Sequence, residues 1–153
     1  MKKYILILIP IILVILFVLY IGFNIQPGSY VFSKKYEFKL SESTLIESIH
    51  KLKQVDSSLV VPEDYQTKEG RREDRHWYYF YVFDSNKERV YFCWVRSKTN
   101  SITTLALISI REPTGKWKAF GRDFTKEEEK LEIKEFENNF LNELKKMGNS
   151  EGN

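Results

Sequence analysis

The apolar and polar positions divide the chain into one long apolar run and a series of shorter periodic segments. The run extends from Ile5 to Phe23, nineteen residues without a charge. A helix of this length, rising about 1.5 Å per residue, spans about 28 Å, which is close to the thickness of the hydrocarbon core of a bilayer. The run therefore predicts a transmembrane helix in contact with the lipid bilayer.

Two features favour an uncleaved signal anchor over a cleaved signal peptide. Signal peptides usually have a shorter apolar region and a cleavage site with small residues, and the sequence YIGFNIQPGSY offers no such site.

The basic residues beside the run predict its orientation. Lys2 and Lys3 precede the run, whereas the next basic residue is Lys34. By the positive-inside rule, the N-terminus lies inside and the C-terminal domain is extracytoplasmic, although the lysines that begin the domain weaken this asymmetry.

The chain beyond the run predicts one folded domain with short flanking segments. A Pro-Gly turn signal marks a linker, and the small polar residues at the C-terminus are typical of a frayed end. The expected organisation is a cytoplasmic stub at 1–4, a signal anchor at 5–23, a linker at 24–29, a domain at 30–148 and a disordered tail at 149–153.

Along the domain, apolar residues recur at every second position in some segments, as in strands, and at helical spacing in others. KYEFKLS, residues 35–41, alternates like a half-buried strand, and Leu45, Ile49 and Leu52 share one face of a helix that follows it. Three dense apolar segments predict strands at 77–83, 89–95 and 102–110, and WKAF predicts a short edge strand. The last helix is predicted from about Lys126 to Met147, with the Thr125 and Glu128 spacing of a capping box and Gly148 at the C′ position.

This order of elements, β-α-β-β-β-(β)-α, predicts the fold class. Consecutive strands and two helices indicate an α+β domain with an antiparallel sheet of about four or five strands and both helices on one face. The segment from Pro62 to His76 holds five acids and four bases and is predicted as the main irregular segment.

Composition excludes several functions. The net charge of +3 falls to +1 without Lys2 and Lys3, too little for a nucleic-acid-binding domain. A single Cys93 in the middle of a predicted strand excludes an intramolecular disulfide and is expected to be an inert core residue. His50 and His76 stand outside any metal-binding motif, and no GxSxG sequence occurs. We therefore expect no catalytic residue, cofactor or metal, and the sequence leans against an enzyme.

The segment HWYYFYVFD predicts a strand that is apolar on both faces. Pairing Phe83 with Val90, and Arg96 with Ile102, assigns the residues of the three strands to two faces. Face one holds Tyr78, Phe80, Val82, Tyr91, Cys93, Val95, Leu105 and Leu107. Face two holds Trp77, Tyr79, Tyr81, Phe83, Val90, Phe92, Trp94, Thr104, Ala106, Ile108 and Ile110.

Face two supplies the candidate contact residues, because Trp and Tyr are enriched at surfaces that alternate between water and a partner. These candidates are Trp77, Tyr79, Tyr81, Phe92 and Trp94. Arg71, Arg72 and Arg75 form a second candidate group for an anion or an acidic partner, although interleaved acids favour local pairing. The alternative is that sheet curvature or residues 55–75 cover face two and make its aromatic residues part of the core.

Two functional hypotheses follow. The leading one is a membrane-anchored, non-catalytic binding or assembly module that uses the aromatic sheet face to contact an envelope protein or a second copy of itself. The alternative is a carrier for a small molecule or glycan, with an aromatic-lined cavity between the sheet and the helices.

Overall fold

The structure, a computed structural model, describes residues 11–17, 32–71 and 76–150, without the side chains of residues 149 and 150. The chain divides into two compact units, Met1–Val31 and Phe32–Asn153. In the first unit, residues 11–17 are helical, and their apolar side chains are 47% to 62% exposed. No helix in the described part of the chain combines the length and the hydropathy needed to cross a bilayer. The rest of the predicted span, at 5–10 and 18–23, lies outside the described residues.

The second unit alternates strands and helices in close agreement with the hydrophobic pattern. Its strands are β1 (Lys34–Phe38), β2 (Gly70–Arg71), β3 (Tyr78–Asp84), β4 (Arg89–Thr99), β5 (Ile102–Arg111) and β6 (Trp117–Ala119). Its helices are α1 (Glu42–Val55), α2 (Glu63–Gln66), α3 (Lys126–Phe136) and α4 (Asn142–Ser150), with a 3-10 turn at Ser57–Leu59 and a π turn at Glu137–Leu141.

The strands form one antiparallel sheet in the order β2-β3-β4-β5-β1, and β6 pairs with β5 as well. The predicted α+β class is therefore confirmed. The sheet has six strands instead of four or five, because part of the segment predicted to be irregular forms α2 and β2. Residues 72–75 of that segment lie outside the described residues.

Both long helical segments pack against face one of the sheet, as the sequence predicted. Helix α1 contributes Leu45, Ile49 and Leu52 to this core, at the predicted i, i+4, i+7 spacing. The C-terminal helices contribute Phe136, Phe140, Leu141 and Leu144, which meet Phe80, Tyr91 and Cys93 of the sheet. The π turn places Phe140 and Leu141 side by side in this core, so both are fully buried.

One of the two predicted strand registers is wrong. Phe83 lies opposite Val90 as expected, but Arg96 lies opposite Thr104 instead of Ile102. The polar residues after Val95 continue β4 as far as Thr99, where the strand is exposed to solvent. Because a polar strand end beyond the core resembles a turn in sequence, the pattern predicted the end of β4 too early.

A β-bulge in β5 changes the face assignment of one residue. Phe92 pairs with Ser109 and Cys93 pairs with Leu107, so Ile108 is the extra residue. An extra residue breaks the two-residue alternation. Ile110 consequently lies opposite Tyr91 in the face-one core, and its predicted place on face two is wrong.

The helix ends agree in part with the predicted caps. Thr125 and Glu128 form the expected capping box of α3. Helix α1 begins at Glu42 with Ser41 as its N-cap, and the Ser41 side chain accepts a hydrogen bond from the Thr44 amide. The C-terminal helix extends to Ser150, so Gly148 lies inside it and not at a C′ position. A Cβ at Gly148 would lie 2.9 Å from Leu40 Cδ1, so a larger residue there would require the Leu40 side chain to shift.

Candidate functional site

Face two carries the predicted aromatic residues, but most of their surface is covered. Trp77, Tyr79, Tyr81 and Trp94 are between 3% and 7% exposed, and Phe92 is partly buried. These four side chains are therefore part of the interior, as in the alternative in which face two is covered. A wide aromatic surface open to a partner is not present on this face of the described domain.

The rings on face two form one continuous row. Trp94 and Trp77 lie 6.3 Å apart at one end, and Tyr79 stacks on Phe92 at 5.7 Å. Phe92 also stacks on Tyr81, with 5.0 Å between their ring centroids. Aromatic pairs at these separations contribute about 0.5–1.5 kcal/mol beyond the burial of their area. The ring contacts therefore add to the stability of this face.

Val61 and Tyr65, the second of which lies in the segment predicted to be irregular, cover one end of this row. Val61 and Tyr65 pack on Tyr81 and Val90, and the Tyr65 ring lies edge-on to Tyr81 at 5.3 Å. The segment is held from both ends, because Gln66 Nε2 donates to the Val61 carbonyl at 2.8 Å and β2 pairs with β3.

Glu69 fixes the same segment to the sheet and to helix α1. Its carboxylate accepts a hydrogen bond from the Tyr81 amide at 2.8 Å, beyond the end of the β2–β3 pairing, and it pairs with Lys53 Nζ at 2.5 Å. Both charged side chains are less than one fifth exposed. A partly buried charge that satisfies an edge amide is expensive to remove, because both partners would lose their compensation.

The covering segment leaves an open groove between itself and β6. The groove has a volume of about 410 Å³ and is lined by Tyr65, Lys68, Tyr81, Phe92, Ser109 and Trp117. Tyr81, Phe92 and Ser109 form its floor, and the rings of Tyr65 and Trp117 meet edge to face, with 6.4 Å between their centroids. Trp117 is 39% exposed, so a ligand in the groove would have access to its ring.

Two cations stand beside this groove. Lys68 Nζ lies 5.0 Å from the centre of the Tyr65 ring, and Arg111 Cζ lies 5.7 Å from the same centre. Arg111 is also the cross-strand partner of Trp117 in the β5–β6 pair. Within the described residues neither cation forms a salt bridge with a carboxylate. The groove and its rim therefore combine aromatic rings with two positive charges.

The structure separates the residues that the sequence grouped together. Of the predicted contact residues, Tyr81 and Phe92 line the groove, whereas Trp77, Tyr79 and Trp94 belong to the remainder of the aromatic row. Among the predicted arginines, Arg71 forms a salt bridge with Glu42 at the start of α1. Arg72 and Arg75 lie outside the described residues.

Sequence reasoning missed Tyr65, Lys68, Ser109 and Trp117, which complete the lining. Tyr65 is the single Phe, Tyr or Trp between Pro62 and His76, and an isolated aromatic residue in a polar segment is a signal that it is buried. Trp117 was placed on an edge strand, but nothing in the sequence shows which ring it faces. The contact between these two segments arises only from the fold.

The other reactive side chains lie elsewhere in the domain. Cys93 is fully buried in the face-one core, and burial raises the pKa of its thiol well above the ordinary value. His50 Nε2 lies 2.7 Å from the Tyr78 hydroxyl at the surface. In the described ranges no group of three or more His, Cys, Asp or Glu residues is arranged to hold a metal ion. The residues that line the groove carry aromatic rings, hydroxyl groups and an amine, which are suited to binding a ligand.

Comparison of the chain with protein-family models, curated proteins and solved structures finds no match.

Proposed function

We propose that this protein is a membrane-anchored, extracytoplasmic binding domain whose face-two groove holds a small molecule or a sugar unit. Of the two sequence hypotheses, the carrier has the better support, with its cavity on face two instead of between the sheet and the helices. The observation that carries the proposal is the half-exposed Trp117 beside a groove of about 410 Å³ whose floor is otherwise buried.

The size and the lining of the groove suit a small ligand. Ligand sites are typically concave, lie between about 300 and 1,000 Å³, and combine apolar walls with a few polar groups. Here Trp117 and Phe92 supply flat apolar surface, and Ser109 and Lys68 supply hydrogen-bonding groups. Phe92 in the floor stacks on Tyr79 and Tyr81, so aromatic contacts hold part of the groove in place before a ligand enters, which lowers the entropic cost of binding.

The assembly hypothesis has less support on this face. Burial of Trp77, Tyr79, Tyr81 and Trp94 leaves little apolar area for a protein partner, whereas a stable interface needs about 800 Å² from each side. An envelope protein or a second copy of the chain would have to use another surface.

The test is a titration of the full-length protein in lipid nanodiscs with four soluble probes, namely indole-3-acetate, indole-3-acetamide, methyl glucuronide and methyl glucoside. The chain has three tryptophans, so NMR shows one indole N–H signal for each. We expect at least one probe to shift the Trp117 signal saturably. The signals of Trp77 and Trp94 should move much less, because these side chains are buried in the aromatic row.

Two opposite changes to the groove should both abolish this binding. Trp117→Ala removes one wall together with the reporting NMR signal, so its binding is measured by isothermal titration calorimetry, and Ser109→Leu fills the floor. Leu131→Ala is the matched control, because Leu131 is 54% exposed on α3. Circular dichroism checks that each variant is folded. Binding that survives Ser109→Leu, or the absence of any shift with all four probes, would overturn the proposal.

A further inference from the structure

We infer that the ligand of the groove is an organic anion with a flat apolar face, recognised by Lys68 and Arg111 together with Trp117. This inference rests on the proposed function and specifies its ligand class. It follows from the charges around the groove, their position relative to the rings, and the acids that do not compensate them.

The acids nearest in sequence to the two cations are engaged elsewhere. Glu69 follows Lys68 but pairs with Lys53 at 2.5 Å, and Glu112 follows Arg111 but pairs with Lys118 at 2.7 Å. Each neighbouring carboxylate is therefore neutralised by a different lysine. Lys68 and Arg111 keep their charge available to a ligand, because no carboxylate of the described residues forms a salt bridge with either.

Both cations lie over the Tyr65 ring. Lys68 Nζ and Arg111 Cζ lie 5.0 and 5.7 Å from the centre of the Tyr65 ring, and the Trp117 ring centroid lies 6.4 Å from that of Tyr65. A carboxylate beside the Tyr65 ring can accept a charge-assisted hydrogen bond from Lys68, which lines the groove, or two parallel hydrogen bonds from Arg111. The rest of the ligand then rests on Trp117.

Two sources of such a ligand share this chemistry. An aromatic carboxylate presents a planar ring to the tryptophan, and an acidic sugar presents the apolar C–H face of its ring, each with one carboxylate at the edge. The groove contains hydroxyls from Ser109, Tyr65 and Tyr81 that could serve either. The shared requirement is a negative charge next to a flat apolar surface, and the probe pairs distinguish the two sources.

The experiment compares each acid with its neutral partner in full-length protein by isothermal titration calorimetry. We expect indole-3-acetate to bind at least about tenfold more tightly than indole-3-acetamide, or methyl glucuronide to exceed methyl glucoside by a similar factor. Raising the salt concentration from about 50 mM to about 500 mM should weaken the acid severalfold and leave the neutral probe unchanged, because salt screens exposed charges. The pair that shows the preference identifies the source.

Charge-removing variants complete the test. Lys68→Gln with Arg111→Gln should reduce the affinity for the acid to that for the neutral probe, whereas Lys130→Gln, an exposed lysine on α3, should have no effect. If the acid and the neutral probe bind with equal affinity and Trp117→Ala abolishes both, the groove is a binding site but its ligand need not be an anion. That result would overturn the anionic ligand class. The anionic ligand class would also be overturned if the double variant kept both its affinity for the acid and the salt dependence of that binding.

Discussion

At the scale of single residues, Cys93 shows how burial removes chemical reactivity. Its side chain is fully buried among the core residues of face one, and desolvation raises the pKa of the thiol, with the nearby Lys53 opposing this rise only partly. The thiolate is the reactive form, so a thiol that stays protonated is a poor nucleophile. Cys93 therefore contributes to the packing of the face-one core.

We predict that Cys93 resists maleimide labelling in the folded protein and reacts rapidly after denaturation. Cys93→Ala should lower the free energy of unfolding by about 1–3 kcal/mol, because it leaves a small cavity, and should leave ligand binding unchanged. Mass spectrometry of labelled protein and a denaturant titration give the two quantities. Rapid labelling of the native protein would show instead that the thiol is accessible.

Substitution of Tyr81 and Trp94 tests whether burial on face two stabilises the domain. Because both are buried, replacing both with serine should destabilise the domain by about 3–5 kcal/mol per residue, as large-to-small core substitutions do. Leu131→Ser, at an exposed position, should change the unfolding midpoint little. An unchanged midpoint in the double variant, with loss of self-association in sedimentation, would favour the assembly hypothesis.

At the scale of elements, a buried charge network joins the β3–β4 hairpin to helix α3. Arg89 Nε donates to Asp84 at 3.1 Å, Nη1 donates to Glu132 at 2.5 Å, and Nη2 donates to Glu135. The Arg89 side chain is 7% exposed. Burial raises the pKa of Glu132, and the charge of Arg89 opposes this rise. Arg89 therefore binds three carboxylates, and Lys87 supplies a second positive charge through its salt bridge with Glu135.

We predict that Arg89→Ala lowers the free energy of unfolding by about 3–5 kcal/mol, because removing one partner leaves buried charges without compensation. The matched control is Lys98→Ala, whose pair with Glu37 is 55% exposed on both sides and should contribute less than about 1 kcal/mol. Urea titration measures both. Equal effects of the two substitutions would contradict a structural role for the network.

The turn between β6 and α3 should respond to pH through Asp123. Hydrogen bonds from Arg122, and then from the Ala119 amide, lower the pKa of Asp123 from 3.8 to about 2. Between these values the folded protein binds fewer protons than the unfolded chain, so this contribution is present above about pH 4 and lost as pH falls toward 2.

We therefore expect the stability difference between the native protein and Asp123→Asn to be largest above about pH 4 and to shrink toward pH 2. Thermal unfolding of both proteins at several pH values in this range measures it. A difference that stays constant across the range would show that the Asp123 charge does not contribute.

At the scale of the whole molecule, the proposed location depends on the apolar run from Ile5 to Phe23. We predict that the protein remains in the membrane fraction after high-salt and carbonate washes, because about 28 Å of apolar helix is retained by a bilayer. Protease added from outside should digest the domain at 24–153. A mature N-terminus near Gln26 or Ser29 would show instead that the run is a cleaved signal peptide.

The sequence by itself determined the class and the local elements of the domain. Alternation and helical spacing respond to which side of an element is buried, so β1, α1, the three long strands and α3 follow from the pattern. The capping box at Thr125 follows equally, because a cap needs only its neighbours in sequence. The register of the β3–β4 hairpin follows from its short turn.

Only the tertiary structure decided how face two is used. The packing of Tyr65 on Tyr81 and Val90, and the position of Arg111 over the Tyr65 ring, depend on segments that are distant in sequence. A residue pattern shows that a side chain is apolar, but not which segment covers it, because burial on the second face of a sheet is set by how the remaining chain folds over it. The groove beside Trp117 is the space that this packing leaves open.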